Sequence, residues 1–222
     1  MNMVGKPRHA EKAFDVGCDI VCAQGGEGGG HTGEIPAGIL VPACVDIAKN
    51  YRPAMLKGAN GIVVAAGGIS DGRGLASSLC LGAQAVWVGT RFVASLEAGC
   101  SQAHKDAIVA ADFDSTVRTL VVSGRPLRVM RNAYIEAWEA RPEEIKRLTG
   151  EGVVPMERDL GDEGVEVEFP FLMGQVAAVV RDVRPAGEIV REMVREAVEC
   201  LRVGWGFVGS GDGGGGGERS KL

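Results

Sequence analysis

The chain has 222 residues, 45% of them hydrophobic, and its 24 lysines and arginines against 29 aspartates and glutamates leave a formal net charge of −5. That mixture describes a globular protein and excludes a disordered one. The acidic balance, without a lysine/arginine cluster or a basic strip interleaved with aromatics, argues against nucleic acid as a partner.

The opening "MNMVGKPRHA" lacks the apolar core of a secretory signal, and no later run is long enough to cross a bilayer, so neither export nor a membrane is expected. "GCDIVCAQ" (Gly17 to Gln24) is a short apolar run entering a glycine-rich loop, as a buried parallel strand does. "LVPACVDIAKNY" (Leu40 to Tyr51) has helical spacing, and "GIVVAAGG" (Gly61 to Gly68) is a second buried strand ending in glycines. "DGRGLASSLCLGA" (Asp71 to Ala83) reads as the following helix, capped by Ser70 or Asp71. "AVWVGT" (Ala85 to Thr90) is a third strand, and Ser95 to Ala111 a further helix. Strand alternating with helix at short intervals implies βαβ units and a parallel sheet.

After Asp112 the rhythm changes. Ser115 to Asn132 reads as an extended excursion around Ser123-Gly124, and Ala133 to Leu148 as helix restarted near Pro142. Gly150 to Pro170 is acidic and loop-like. "GEIVREMVREAVECL" (Gly187 to Leu201) is an amphipathic helix with Ile189, Val190, Met193, Val194, Ala197, Val198 and Leu201 on one face. Cys18, Cys22, Cys44, Cys80, Cys100 and Cys200 stand at irregular spacings without a CxxC pair. They read as reduced thiols of an intracellular protein, with neither a disulfide framework nor a metal site.

The chemistry lies in the glycines. "AQGGEGGGHTG" (Ala23 to Gly33) follows a buried strand, and two further strand ends resemble it, at Gly67-Gly68 and at Gly89-Thr90. Three successive βα junctions with small residues at the strand's C-terminal end face one region in a (β/α) barrel, whose last two loops commonly form a phosphate site. Glycine lets the phosphate reach the backbone N–H groups, and Thr90 adds a hydroxyl donor. The plainer reading of the same glycines is a set of tight turns. His31 has the near-neutral imidazole suited to a general base, or is a histidine tied to its own loop. Glu27 either orients the loop or His31, or is a solvated charge; Gln24 either meets a heteroaromatic ring or ties down a turn. His9 and His104 read as surface residues.

The same residues carry a resemblance. "AQGGEGGGHTG", then "VVAAGGISDGRGLASSLCLGAQAVWVGTRF", then "GRPLRVMRN" are similar to the nitronate monooxygenases, formerly called 2-nitropropane dioxygenases, from about residue 5 to Leu201. The resemblance implies a TIM-barrel oxidoreductase that uses FMN and molecular oxygen to convert alkyl nitronates or nitroalkanes to a carbonyl compound and nitrite. It places the catalytic base on His31 and the FMN contacts on Gln24, Gly29, Gly67, Gly68, Gly89 and Thr90, with backbone contacts from Trp87 and Val88. Gly28 departs from the alanine of many relatives. In the family the Gln24 loop follows the sixth strand, so Met1 to Pro7 resembles the tail of the fifth, and the earlier strands are missing. The expected fold is therefore α/β: the C-terminal portion of a (β/α)8 barrel plus C-terminal helices. Residues 1–202 form this domain, with a lid-like excursion at 112–170 over the pocket, and 203–222 a flexible tail.

A half-barrel leaves an edge strand and apolar helix faces open to association with another copy. The tail ends in Ser220-Lys221-Leu222, which matches the peroxisomal address recognised by an import receptor at a free C-terminus, against a cytoplasmic location where it is not read. Two other functions are compatible with these motifs. One is a related flavin enzyme reducing a quinone or an enoyl thioester with a nicotinamide nucleotide. The other is an inactive chain that binds a ligand or a partner.

Overall fold

The computed structural model describes residues 1–208; the glycine run near the C-terminus and Ser220-Lys221-Leu222 lie outside the described residues. The chain opens on β1 (Asn2–Val4), consistent with a strand tail, and turns directly into α1 (Pro7–Asp15), a helix that the sequence reading does not anticipate. Pro7 stands at its first position, where the missing N–H would have had no partner. There follow β2 (Ile20–Gln24), the two-residue β3 (Gly30–His31), α2 (Ala37–Ala48), β4 (Ile62–Ala66), α3 (Gly72–Cys80) and β5 (Ala85–Trp87). Asp71 caps α3 as expected, its Oδ1 accepting from the Gly74 N–H at 3.0 Å.

Four of these strands make one wholly parallel sheet in the order β1-β2-β4-β5. Pairing in register puts partners on the same face, and alternate residues on opposite faces. Val4, Val21, Ala23, Val63 and Ala65 face outward and are buried against Phe14 of α1 and Leu40, Val41 and Cys44 of α2. Met3, Cys22, Val64 and Ala85 form one row of the inner face, and Gln24, Ala66 and Trp87 the next. This βα succession is the TIM-barrel-type α/β arrangement that the sequence implies, here as four strands with β1 and β5 at the edges.

Several boundaries differ from the sequence reading. Strand β5 stops at Trp87, and Thr90 already opens the short helix α4 (Thr90–Val93). The helix expected over Ser95 to Ala111 begins only at α5 (Gln102–Ala110), because Ser101 caps it through the His104 N–H. Helix α2 starts three residues early, where the Glu27 carboxylate accepts from the Ala37 N–H.

The second half folds around its own core. Strands β6 (Thr116–Thr119) and β7 (Leu127–Met130) are antiparallel, and β7 also pairs with β3, Gly30 opposite Arg128 and His31 opposite Leu127. Helix breaks at Pro142 as expected, giving α6 (Ala133–Glu139) and α7 (Pro142–Gly150). Residues 150–170 are not wholly loop: α8 (Pro155–Leu160) forms there, with Pro155 at its first turn and Met156 buried. Val121, Val129, Ile135, Trp138, Leu148 and Met156 pack together. At their edge Asp159, itself buried, accepts from the Tyr134 hydroxyl and the Trp138 indole N–H, both at 2.9 Å.

Helix α9 (Ala186–Gly206) closes the described chain and packs against α3, where Glu196 accepts from the Gly72 N–H at 2.9 Å. Its apolar face is narrower than expected. Ile189, Met193 and Ala197 are buried, whereas Val190, Val194, Val198 and Leu201 stay exposed. One helical neighbour meets a single i, i+4, i+8 stripe, and the adjacent stripe lies beyond it. Among the described residues no helix is long and apolar enough to cross a membrane, and no group of three or more metal-ligating side chains converges.

Candidate functional site

The C-terminal ends of β2, β4 and β5 converge on a cavity of about 410 Å³, within the size range of small-molecule sites. Inner-face register delivers Gln24, Ala66 and Trp87 to it in one row, with Met3 beside them. The glycine loop supplies Gly28 to His31, the end of β4 Gly67 to Ile69, and the end of β5 Gly89 and Thr90. Leu172, Gly174 and Val176 complete the wall. Of the residues expected to act as base or to contact the cofactor, Val88 alone does not line this cavity; it packs against the outer core.

The glycines are there for two reasons. Gly67 has φ +87°, and a side chain on it would stand 2.9 Å from the Gly25 carbonyl oxygen. A side chain on Gly29 would stand 2.6 Å from the Gly174 nitrogen, so the loop and the 173–175 segment touch through main chain alone. The Gln175 N–H donates to the Glu27 carbonyl at 2.9 Å and seals that contact. Among the described residues, the N–H groups of Gly67, Gly68, Gly89 and Thr90 donate to no protein acceptor. Four free donors at two strand ends, on the wall of one cavity, form a cradle for an anion.

Thr90 is buried, and its hydroxyl oxygen accepts from the Gly174 N–H at 2.9 Å. It thereby holds the opposite wall, and its own proton remains free to donate. Gln24 is buried and ties the loop, Nε2 donating to the Gly29 carbonyl at 3.2 Å. Of the roles open to Glu27, the structure supports orientation of the loop. Both of its oxygens accept from the Ala37 N–H at 3.1 Å, so it caps α2 and neither orients His31 nor stands free in solvent. Trp87 lines the cavity with half of its surface exposed.

His31 projects from β3, and its Nε2 lies 2.9 Å from the Ser123 hydroxyl. Burial, then the positive charge of Arg125, holds its pKa below the usual 6.5. The ring is therefore neutral at physiological pH, the state a proton acceptor needs. Ser123 also donates to the Arg125 carbonyl at 3.3 Å, so the tip of the excursion grips the ring from one side. His104 is not a free surface residue: it stacks on Phe171 with ring centroids 4.7 Å apart, and its Nε2 lies 2.9 Å from the Leu172 carbonyl. It thus supports the wall that Leu172 and Gly174 form.

The sequence reading passed over Ser123 as a ligand of His31, Arg125 as its charged neighbour, and Leu172, Gly174 and Val176 as wall. The signal for the wall was available: "FLMGQ" sets a single glycine among apolar residues, a mark of close backbone approach. Ser123 carries no such signal, because a turn serine is ordinary.

Comparison with known proteins places these features. The nitronate monooxygenase family profile matches residues 2–196. A nitronate monooxygenase of Neurospora crassa is 30% identical over 206 residues, covering 90% of this chain and 54% of that protein. A (3aS,4S,5R,7aS)-5-hydroxy-7a-methyl-1-oxo-octahydro-1H-indene-4-carboxyl-CoA dehydrogenase of Mycobacterium tuberculosis is 41% identical over 138 residues, covering 62% of this chain and 36% of that protein. The solved structure of FabK from Thermotoga maritima superposes with a TM-score of 0.75 at 33% identity, covering 92% of this chain and 62% of that one. The chain thus spans about half the length of the N. crassa relative, and a smaller share of the M. tuberculosis one.

Proposed function

Because the chain belongs to the nitronate monooxygenase family, we propose that it carries the proton-abstracting and cofactor-holding part of an FMN-dependent enzyme that oxidises alkyl nitronates or nitroalkanes with oxygen. The products are a carbonyl compound and nitrite. The observation that supports this most is the meeting of His31 with two glycine strand ends on one cavity wall.

The residues present fit the cofactor. The four free N–H groups and the Thr90 hydroxyl suit a phosphate, and Gln24 and Trp87 border the space in which a flat ring system would lie. FMN, when bound, supplies the electron transfer that no side chain of this cavity provides. The protein's own work is geometric and acid–base. His31 presents a neutral imidazole over the cavity and takes the proton from the carbon bearing the nitro group. Ser123 holds the ring in place through Nε2. Leu172 and Val176 give an apolar wall that favours an alkyl chain over water.

His31→Ala tests this reading. Turnover of neutral nitroalkane falls by about 10²–10⁴, while preformed nitronate, which has already lost its proton, is affected less. Flavin binding persists, since the phosphate cradle is untouched. Flavin lost from the folded variant would show His31 to be structural.

The M. tuberculosis carboxyl-CoA dehydrogenase favours a second reading, redox chemistry on a thioester, for which a nicotinamide nucleotide is the partner we propose. NADH consumed without a nitro compound supports it; oxygen uptake with nitrite release on adding a nitronate supports the first. For location, Ser220-Lys221-Leu222 is proposed as a peroxisomal address bound by the import receptor, and deletion of Leu222 leaves such a protein in the cytosol.

A further inference from the structure

Arg118 and Arg128 stand directly opposite each other on β6 and β7. Like charges in that relation repel, and neither residue belongs to the chemistry described above, so the pair needs another account. The side chains supply it. Arg128 donates from Nε and Nη2 to the Gly26 carbonyl at 3.2 and 3.0 Å, and from Nη1 to the Thr116 hydroxyl at 3.1 Å. Arg118 donates from Nη1 to the Gly33 carbonyl at 3.1 Å and from Nη2 to Glu34 at 2.8 Å.

Gly26 and Gly33 bracket the loop that carries His31. Between them the chain is half glycine, and β3, which bears His31, is only two residues long. Strand Arg128 also pairs in register with Gly30, so one residue holds the loop at two points, by its main chain beside His31 and by its side chain at Gly26. We propose that Arg118 and Arg128 are positioning residues, a pair of guanidinium forks that fix both ends of the glycine loop from behind and so hold His31 over the cavity. Carbonyl oxygens accept these forks strongly, and the half-buried Arg128 is drawn off its ordinary value by burial and then by Arg118, the expected mark of a cation kept in place for its hydrogen bonds. The juxtaposed charges are tolerated because each fork ends on acceptors of the loop.

The inference rests on the reading of His31 as the base, and its test separates the two. The chain has three histidines, so the His31 ring signal is assigned in proton NMR by its loss in His31→Gln. In Arg128→Ala the loop swings away from Ser123 and from Arg125, the charge that faces the ring, and the His31 titration midpoint rises toward its ordinary value. Amide exchange at Gly30 to Thr32 quickens, and kcat for a neutral nitroalkane falls about 10²-fold, as an ångström of misplacement costs, with little change in KM. Arg128→Lys, which reaches one carbonyl, restores part of each signal. Arg118→Ala shows the same changes in smaller degree and stands in for Arg128→Ala if that variant does not fold. A His31 midpoint and loop exchange unchanged in Arg118→Ala and Arg128→Lys, and in Arg128→Ala where it folds, overturn the proposal. A wild-type chain without nitroalkane turnover would sink the functional reading alone, because the titration and exchange signals need no turnover.

Discussion

Between Ile20 and Thr90 the chain sets its site with main-chain atoms: strand ends, positive-φ glycines and free N–H groups. Between Asp112 and Pro170 it relies on side chains, with Tyr134, Trp138 and Asp159 bonded to one another in a separate core. The two regions meet where β3 pairs with β7 and Ser123 holds His31. The difference teaches what each part must withstand. A cradle for a phosphate must let the anion approach the backbone, which only glycine allows. The excursion has no such duty and can be fixed by packing.

The comparison breaks most openly at His31, whose replacement by alanine is expected to lower neutral-nitroalkane turnover by about 10²–10⁴ without unfolding either region. Steady-state oxygen uptake measures it. Next comes Asp159→Ala, which leaves the Tyr134 hydroxyl and the Trp138 N–H buried without their acceptor. At about 1–3 kcal/mol for each of the two stranded groups, urea unfolding should show a loss of about 2–6 kcal/mol, with cofactor affinity changed far less. Equal damage to both would mean that the regions are one cooperative unit.

Gly67→Ala probes the other side. Its φ of +87° and the 2.9 Å approach to the Gly25 carbonyl strain any side chain there. A strain of about 1–3 kcal/mol predicts FMN affinity weakened roughly tenfold or more, read by fluorescence titration. The smallest effect is expected from Arg125→Ala. Arg125 helps hold the His31 pKa below 6.5, so the acid limb of kcat/KM lies below that value in the wild type. Removing a positive charge stabilises the protonated ring, so the limb moves up in pH, toward 6.5. Burial, the larger cause, remains and keeps the shift partial. A limb that moves down, or does not move, would show that another group titrates.

The sequence disclosed the first region better than the second. Strands β2, β4 and β5 announce themselves as apolar runs ending in glycine, and Gly67, Gly68, Gly89 and Thr90 were legible because backbone work can be done by few residue types, whereas Gly29 as a cofactor contact came from the family resemblance and Gln24 had two roles open. Thr90 opening α4, rather than closing β5, was not legible, since only Val88 and Gly89 separate the strand end from the helix start and no letter among them marks the change. Helix α1 was masked by its charged face, and α8 by the acidic residues around it. The bond from Ser123 to His31 spans 92 positions, and only the antiparallel pairing of β3 with β7 brings the two together. No local pattern encodes that.

The most direct test of the whole account is the absorption spectrum of the purified chain after FMN has been added and the excess removed. Flavin bands retained at about one per chain are the predicted result, with the free N–H groups of Gly67, Gly68, Gly89 and Thr90 as the holding contacts. A flat visible spectrum from protein that circular dichroism shows to be folded would contradict it, and these strand ends would then be tight turns.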